Sequence, residues 1–253
     1  MKALYTAATG MNAQQTRLDN IANNLANVNT TAYKKQSAAF EDLFYEEVEA
    51  TGGDESQMVQ VGGGVKLAST NRDFTGGALV KTSSSLDFAI EGEGFFVLET
   101  VEGEPRYTRD GSFRTDSDGL LVNSAGLRLS GDISLPDEHN GIVLLEDGTL
   151  TALSIDGSGE EILGQLELAR FTNPGGLDAL GGNLYMQSAA SGEPLSLELG
   201  STTTVRQYYL EGSNVDIASE LIGMIEAQRA YELTSKVVQA ADENLQTAVN
   251  LKR

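Results

Sequence analysis

The sequence contains no cysteine. That excludes disulfides, thiolate metal sites and a cysteine nucleophile. It also suits a chain that must leave the cell unfolded or free of reactive thiols. There is one histidine, His139, in the polar run Pro136-Asp137-Glu138-His139-Asn140. A lone loop histidine reads as surface, so a His-Asp-Ser constellation has little to build on. No stretch approaches the roughly 18–20 apolar residues that span a bilayer, so no direct membrane insertion is expected. Met1-Lys2 is followed by a mixed helix with no compact apolar region or small-residue cleavage site, and a cleaved Sec-type signal is not expected.

Positive charge is scarce: 17 Lys and Arg stand against 37 Asp and Glu, a net charge of −20. Phosphates would be repelled, so nucleic acid is not an expected partner. The distribution is uneven. Residues 1–35 carry Lys2, Arg17, Lys34 and Lys35 against Asp19, and residues 214–253 carry four basic and six acidic side chains, which leaves −21 in residues 36–213. The ends look built to pack, and the middle to face solvent.

What is present is periodicity. Leu4, Ala7, Met11, Gln14, Leu18, Ile21, Leu25 and Val28 recur at alternating intervals of three and four. That is the a/d seam of a coiled-coil helix with one polar member, Gln14. Ile217, Leu221, Met224, Gln228, Tyr231, Ser235, Val238, Asp242, Leu245 and Val249 repeat the pattern near the other end. The first helix, over residues 3–28, has no proline but carries Gly10 and many Asn, so it is marginal alone and needs a partner over its seam. The run Asn27-Val28-Asn29-Thr30-Thr31 ends it, with Asn expected in the left-handed cap conformation. Ser213 and Asp216, three residues apart, resemble a capping box before the second helix. Off its seam that helix is also apolar, at Ile222, Ile225, Leu233 and Val237. Leftover apolar helix surface marks contact with other chains.

Between the helices, residues 32–52 are expected to hold a short helical piece around Phe40, Leu43, Phe44 and Val48, and residues 52–64 read as flexible loop. From about residue 65 to 210 the period is two. Short strands at Gly94-Phe95-Phe96-Val97-Leu98, Tyr107-Thr108-Arg109, Ile142-Val143-Leu144-Leu145 and similar runs are separated by turn signals at Arg109-Asp110-Gly111, Ser117-Asp118-Gly119, Glu146-Asp147-Gly148, Asp156-Gly157 and Pro174-Gly175-Gly176. That density describes an all-β meander, sandwich or barrel. The fold class is therefore α+β: long terminal helices pairing as a coiled coil around an all-β middle. The boundaries are residues 1–31 for the first assembly helix, 32–75 for a linker with a flexible or hairpin insertion, 76–210 for the β-rich domain and 211–253 for the second helix.

No cofactor or metal is expected. Gly62-Gly63-Gly64 lacks the Lys-Ser/Thr of a phosphate loop. Asp116-x-Asp118-Gly119 lacks the remaining ligands of a calcium loop and reads as a hairpin turn. Glu91 and Glu93 offer two carboxylates, but no cleft signature accompanies them, and Glu91-Gly92-Glu93-Gly94-Phe95-Phe96 reads as a tight turn into a buried aromatic strand. The competing class is a coiled-coil-tethered β domain with carbohydrate-binding or hydrolase activity.

Four motifs then occur in order. Ala22-Asn23-Asn24-Leu25-Ala26-Asn27-Val28-Asn29-Thr30-Thr31-Ala32-Tyr33-Lys34 resembles the signature of the bacterial flagellar rod and hook axial proteins. Asp87-Phe88-Ala89-Ile90-Glu91-Gly92-Glu93-Gly94-Phe95-Phe96 and Tyr107-Thr108-Arg109-Asp110-Gly111-Ser112-Phe113 are similar to its middle motifs. Glu211-Gly212-Ser213-Asn214-Val215-Asp216, continuing through Met224 to Glu232, is similar to its C-terminal motif. Chain length, with Phe40, Leu43 and Phe44, resembles the distal-rod branch most. Ala32 stands where the family often has Gly.

The resemblance implies a non-enzymatic structural subunit of the basal-body rod, a helical tube that transmits torque from motor to hook across the periplasm and is exported without signal cleavage. It implies as partners copies of itself, the proximal rod proteins, the hook protein and the P-ring and L-ring proteins. By motif it carries over to Asn24, Leu25, Ala26, Asn27, Val28, Asn29, Ser213, Asn214, Val215, Asp216, Gln228, Arg229, Ala230 and Tyr231. With the two seams, the expected assembly interface is Leu4, Met11, Leu18, Ile21, Asn24, Leu25, Asn27, Val28, Ile217, Leu221, Met224, Gln228, Tyr231, Val238 and Leu245.

Overall fold

The computed structural model describes residues 2–49, 58–100, 102–131, 133–136, 141–153, 160–197, 199–200 and 203–251. His139 and the Asp156-Gly157 turn lie outside them. The architecture is α+β: one helix near each end and a mostly β middle. The chain folds into two compact units. One comprises Met1–Asn27, Lys35–Asp73 and Val215–Arg253; the other comprises Val28–Lys34 and Phe74–Asn214.

The first unit contains α1 (Lys2–Ala26), β1 (Gln36–Asp42), β2 (Tyr45–Glu49), β3 (Met58–Gly62), β4 (Val65–Arg72) and α2 (Ile217–Leu251). The helical piece expected around Phe40 to Val48 is strand instead. β1 pairs antiparallel with β4 from Gln36↔Arg72 to Asp42↔Val65, and β2 with β3 from Tyr45↔Gly62 to Glu49↔Met58. The two pairs nest as one long ribbon, broken at Leu43-Phe44, where the Leu43 N–H donates to the Gly64 carbonyl at 2.8 Å. Residues 58–62, read as loop, are its returning strand. Phe40, Phe44 and Val48 are four apart, which is a helical spacing; cross-strand pairing outside that window decides otherwise.

α1 ends at Ala26, two residues before the expected limit, and Val28 lies in the following turn. Asn27 caps through its side chain, Nδ2 donating to the Asn23 carbonyl at 2.9 Å. The same carbonyl accepts the Asn27 N–H at 3.2 Å, so main chain and side chain of Asn27 close the last turn together. The left-handed residue is not an Asn but Ala32, at φ 55°. Asp216 is the residue before α2, and its carboxylate accepts from the Ser219 N–H at 3.1 Å and hydroxyl at 2.6 Å. The cap therefore sits three residues later than the Ser213 start read from sequence. The Ser219 hydroxyl and N–H hold the Asp216 carboxyl below the usual carboxylate range.

The second unit is built on a sheet through β7 (Phe95–Glu99). Preceding it are β5 (Leu79–Lys81) and β6 (Phe88–Glu91); following it are β8 (Pro105–Thr108), β9 (Arg114–Thr115), β10 (Leu121–Val122), β11 (Arg128–Leu129), β12 (Ile142–Leu144), β13 (Thr149–Leu153), β14 (Glu160–Gln165), β15 (Leu168–Arg170), β16 (Asp178–Gly181), β17 (Leu184–Met186), β18 (Leu195–Leu197), β19 (Thr204–Gln207) and β20 (Tyr209–Glu211). β7 pairs with β8, β11 and β15; β12, β13 and β14 form a separate three-stranded sheet, and β19 and β20 return to pair with β6 and β5.

Successive side chains of a strand point to opposite faces. Phe96 and Leu98 therefore enter the larger core, with Phe88, Phe113 and Leu150, while Phe95 enters a second, aromatic one with Tyr107, Phe171 and Tyr185. Rings there meet edge to face, as for Tyr107 and Phe171 at 4.8 Å. The glycine-rich turn into a buried aromatic strand is as read. So are the turns at residues 116–119 and 145–148, closed by Gly119 and Gly148 at φ 77° and 85°. Arg109-Asp110-Gly111 is not a hairpin turn: Gly111 lies against Phe88, where any Cβ would come within 1.6 Å of its carbonyl oxygen. Pro174–Gly176 is a single 3-10 turn.

Candidate assembly surface and a buried charge cluster

Within the first unit, α1 and α2 pack antiparallel. Asn24 donates to Glu220 at 3.2 Å, Gly223 lies against Ile21, Arg17 meets Glu226 at 3.3 Å, and Gly10 lies against Thr234. Ala7, Ile21 and Asn24 of α1 are buried, and Leu4, Met11, Gln14, Leu18 and Leu25 are half-buried, so the seam read from the sequence is its packed side. Gln14 Oε1 is buried with no hydrogen-bond partner among the described residues.

On α2 the packed stripe differs from the expected seam. Glu220 and Ala227 are buried, and Gly223, Ala230 and Thr234 half-buried. Of the seam residues, Met224 and Val238 are half-buried, whereas Ile217, Leu221, Gln228, Tyr231 and Leu245 are exposed. The physical reason is Glu220. Its carboxylate takes Lys35 at 2.6 Å as well as Asn24, and these bonds set the rotation of α2 so that small residues face α1. Asn24 is central to this: its Nδ2 donates to the Gln36 carbonyl at 2.8 Å, and its Oδ1 accepts the Gln36 N–H at 2.9 Å. The amide thus pairs with β1 as a strand backbone would. Large apolar side chains are left outward at Ile222, Ile225, Leu233 and Val237.

The second unit holds a cluster that sequence reasoning did not single out. Glu211 accepts from Lys34 at 2.7 Å, from Arg109 at 2.8 Å and from the Gly77 N–H at 2.8 Å. All three charged side chains are at most 2% exposed. Lys34 also donates to the Thr75 carbonyl at 2.6 Å. Arg109 donates to the carbonyls of Gly94, Gly92 and Ile90 and lies 5.9 Å over the Phe95 ring. Burial alone would push the Glu211 carboxyl up; Arg109 and Lys34, with the bonds from Lys34 and Gly77, outweigh it and hold the group below the usual carboxylate range. Beside the cluster, burial pushes the Asp110 carboxyl up, while its bonds from Ser112 pull the other way.

The backbone joins the same place. The Ala32 N–H donates to the Glu211 carbonyl at 2.8 Å, the Asn214 N–H to the Tyr33 carbonyl at 3.4 Å, and Asn183 Nδ2 to the Thr31 carbonyl at 2.7 Å. The segment after α1 and the segment before α2 are thereby tied together. Three of the four sequence motifs place a charge here, Lys34, Arg109 and Glu211, and the remaining one supplies the carbonyls of Ile90, Gly92 and Gly94. The neighbours gave little signal: Glu211 stands between Leu210 and Gly212, but Lys34 is followed by Lys35 and Arg109 by Asp110.

Ala32 adopts its left-handed conformation inside this tie. An L-residue there costs about 1–2 kcal/mol, and glycine returns about 0.4–1 kcal/mol through its freer unfolded chain. Ala32→Gly is thus expected to stabilise the protein by up to about 1 kcal/mol, read as a rise of the thermal midpoint by a few degrees.

Models described as flagella basal body rod protein, flagellar hook protein FlgE/F/G D1 domain and flagellar basal body rod FlgEFG protein C-terminal match residues 4–34, 89–152 and 206–251. The flagellar basal-body rod protein FlgG of Borreliella burgdorferi is 46% identical, over 100% of this chain and 99% of its own. The chain belongs to the flagellar basal-body rod protein family. The FlgG proteins of Caulobacter vibrioides and Bacillus subtilis are 41% and 34% identical, each over the full length of both chains. The solved Helicobacter pylori flagellar hook protein FlgE2 overlaps 70% of this chain and 43% of its own at 18% identity, with a TM-score of 0.24, too loose a match to compare folds.

Proposed function

We propose that this rod-family chain is a structural subunit of the distal rod, polymerising into a helical tube that carries torque from motor to hook. The observation that carries the proposal is the pair of terminal helices with family motifs on both and large apolar side chains turned outward on α2. A single chain leaves Leu221, Ile222 and Ile225 in water. Burying such side chains is worth roughly 1.5–3 kcal/mol each, so a second copy is their natural cover. Copies joined head to tail form an open helix when the rotation from one to the next does not close a ring. In this reading the helix seams, including Leu4, Met11, Ile217, Tyr231 and Leu245, form the coiled-coil layer of the polymer. The acidic middle faces outward, toward the P- and L-ring proteins. The hook and proximal rod proteins would meet the two ends of the tube.

Electron microscopy of concentrated protein tests this. Wild type is expected to give tubes or protofilaments. Leu18→Asp and Leu25→Asp are expected to abolish them while the β signal in circular dichroism persists. Discrete wild-type particles, or normal tubes from either variant, would refute the reading.

A further inference from the structure

Phe44 has no place in the fold of its own unit. It sits at the break between β1 and β2 and is 94% exposed, more than any other large apolar side chain among the described residues. Acidic residues lie on both sides of it: Asp42 ends β1 and Glu47 lies within β2, both exposed. The break itself is held, since the neighbouring Leu43 N–H is bonded to Gly64 and the Phe44 carbonyl lies against Gly63. The ring is therefore presented on a fixed stretch of ribbon.

The second unit contains a complementary cavity of about 490 Å³. Phe74, Phe95 and Phe171 line it, with ring centroids 5.3 Å apart for Phe74 and Phe95 and 5.8 Å for Phe95 and Phe171, both pairs edge to face. Glu93 and Arg170 also line it. Arg170 is exposed and has no acidic partner among the described residues. An aromatic side chain with an acidic neighbour suits such a site: its ring adds to the edge-to-face set, and the carboxylate meets the guanidinium.

We propose that Phe44 of one subunit plugs the Phe74–Phe95–Phe171 cavity of a second copy, with Asp42 or Glu47 meeting Arg170. This rests on the polymerisation reading above and adds a lateral contact outside the terminal helices.

The absence of native cysteine makes a clean test possible. Two single-cysteine chains, Tyr45→Cys beside the retained Phe44 and Thr172→Cys at the cavity wall, are mixed, brought to polymerising conditions and oxidised; Tyr45 is 59% exposed. Tyr45→Cys with Ser124→Cys, in an exposed turn away from the cavity, is the control. A disulfide forms only when the two Cα atoms come within about 7 Å. The expected result is a covalent 45–172 dimer in the polymer that the 45–124 pair lacks. Phe44→Ala is also expected to raise the critical concentration about tenfold or more, with an unchanged thermal midpoint, as loss of a buried aromatic at each contact implies. Tubes that form without the 45–172 link, or with Phe44→Ala at the wild-type concentration, overturn the plug while leaving the rod reading standing. Failure of wild type to polymerise overturns both.

Discussion

Replacing Glu211 by alanine is expected to destabilise the β-rich unit by about 3–5 kcal/mol, because Lys34 and Arg109 would remain buried without their shared anion. The Gly77 N–H would lose its acceptor as well. Against a total stability of roughly 5–15 kcal/mol, that removes a large share. Urea unfolding followed by circular dichroism and tyrosine fluorescence reads it, since Tyr107 and Tyr185 lie in the affected core. Glu211→Gln should fall between, keeping a hydrogen-bonding side chain but no charge. The pH dependence has a definite sign. The folded carboxyl lies below its ordinary value, so the ionised pair contributes fully above the unfolded value near pH 4.3 and is lost as pH falls through the lowered folded value. Wild type should lose midpoint steadily below about pH 5, and Glu211→Ala should lack that component. An unchanged midpoint in Glu211→Ala would refute this role for the cluster.

Ile225→Asp is expected to have the opposite profile: little change in the folded monomer and a large change in assembly. Ile225 is 51% exposed on the outward side of α2, so substitution there should move stability by no more than about 0.5 kcal/mol. In a polymer each contact would lose roughly 1.5–3 kcal/mol of apolar burial and bring a carboxylate into an apolar interface. Each 1.4 kcal/mol is tenfold, so the critical concentration should rise by about ten- to a hundredfold or more. Sedimentation across a concentration series measures it. An unchanged threshold would remove α2's outward stripe from the interface.

Much of this was legible in the residues. Periodicity gave both terminal helices, because a three-and-four spacing over many turns has no competing explanation. Gly-Phe-Phe-Val-Leu announced the central strand, and the Asp-Gly pairs at 118–119 and 147–148 its turns. The ribbon from Gln36 to Arg72 was not legible. Its strand character comes from pairing partners 9 to 36 residues apart, from Glu49↔Met58 to Gln36↔Arg72, and Phe40, Phe44 and Val48 happen to keep helical spacing. The rotation of α2 was missed for a related reason. Large apolar residues suggested the inward face, whereas a buried carboxylate bonded to Asn24 and Lys35 decides it. Charged residues separated by 75 and 102 positions, Lys34, Arg109 and Glu211, meet only in the fold, and nothing in local pattern joins them.

The bonds that hold Glu220 have a geometric consequence for any polymer built on α2. A helix advances about 100° per residue, so turning α2 by one position would bring the Leu221 and Ile225 side inward and present another stripe to neighbouring chains. With Asn24 and Lys35 both gripping one carboxylate, such settings are separated by broken bonds rather than joined by gradual rotation. Every subunit then offers the same stripe at the same angle. A lattice of identical contacts has a single preferred pitch, and a tube with a single pitch stays straight.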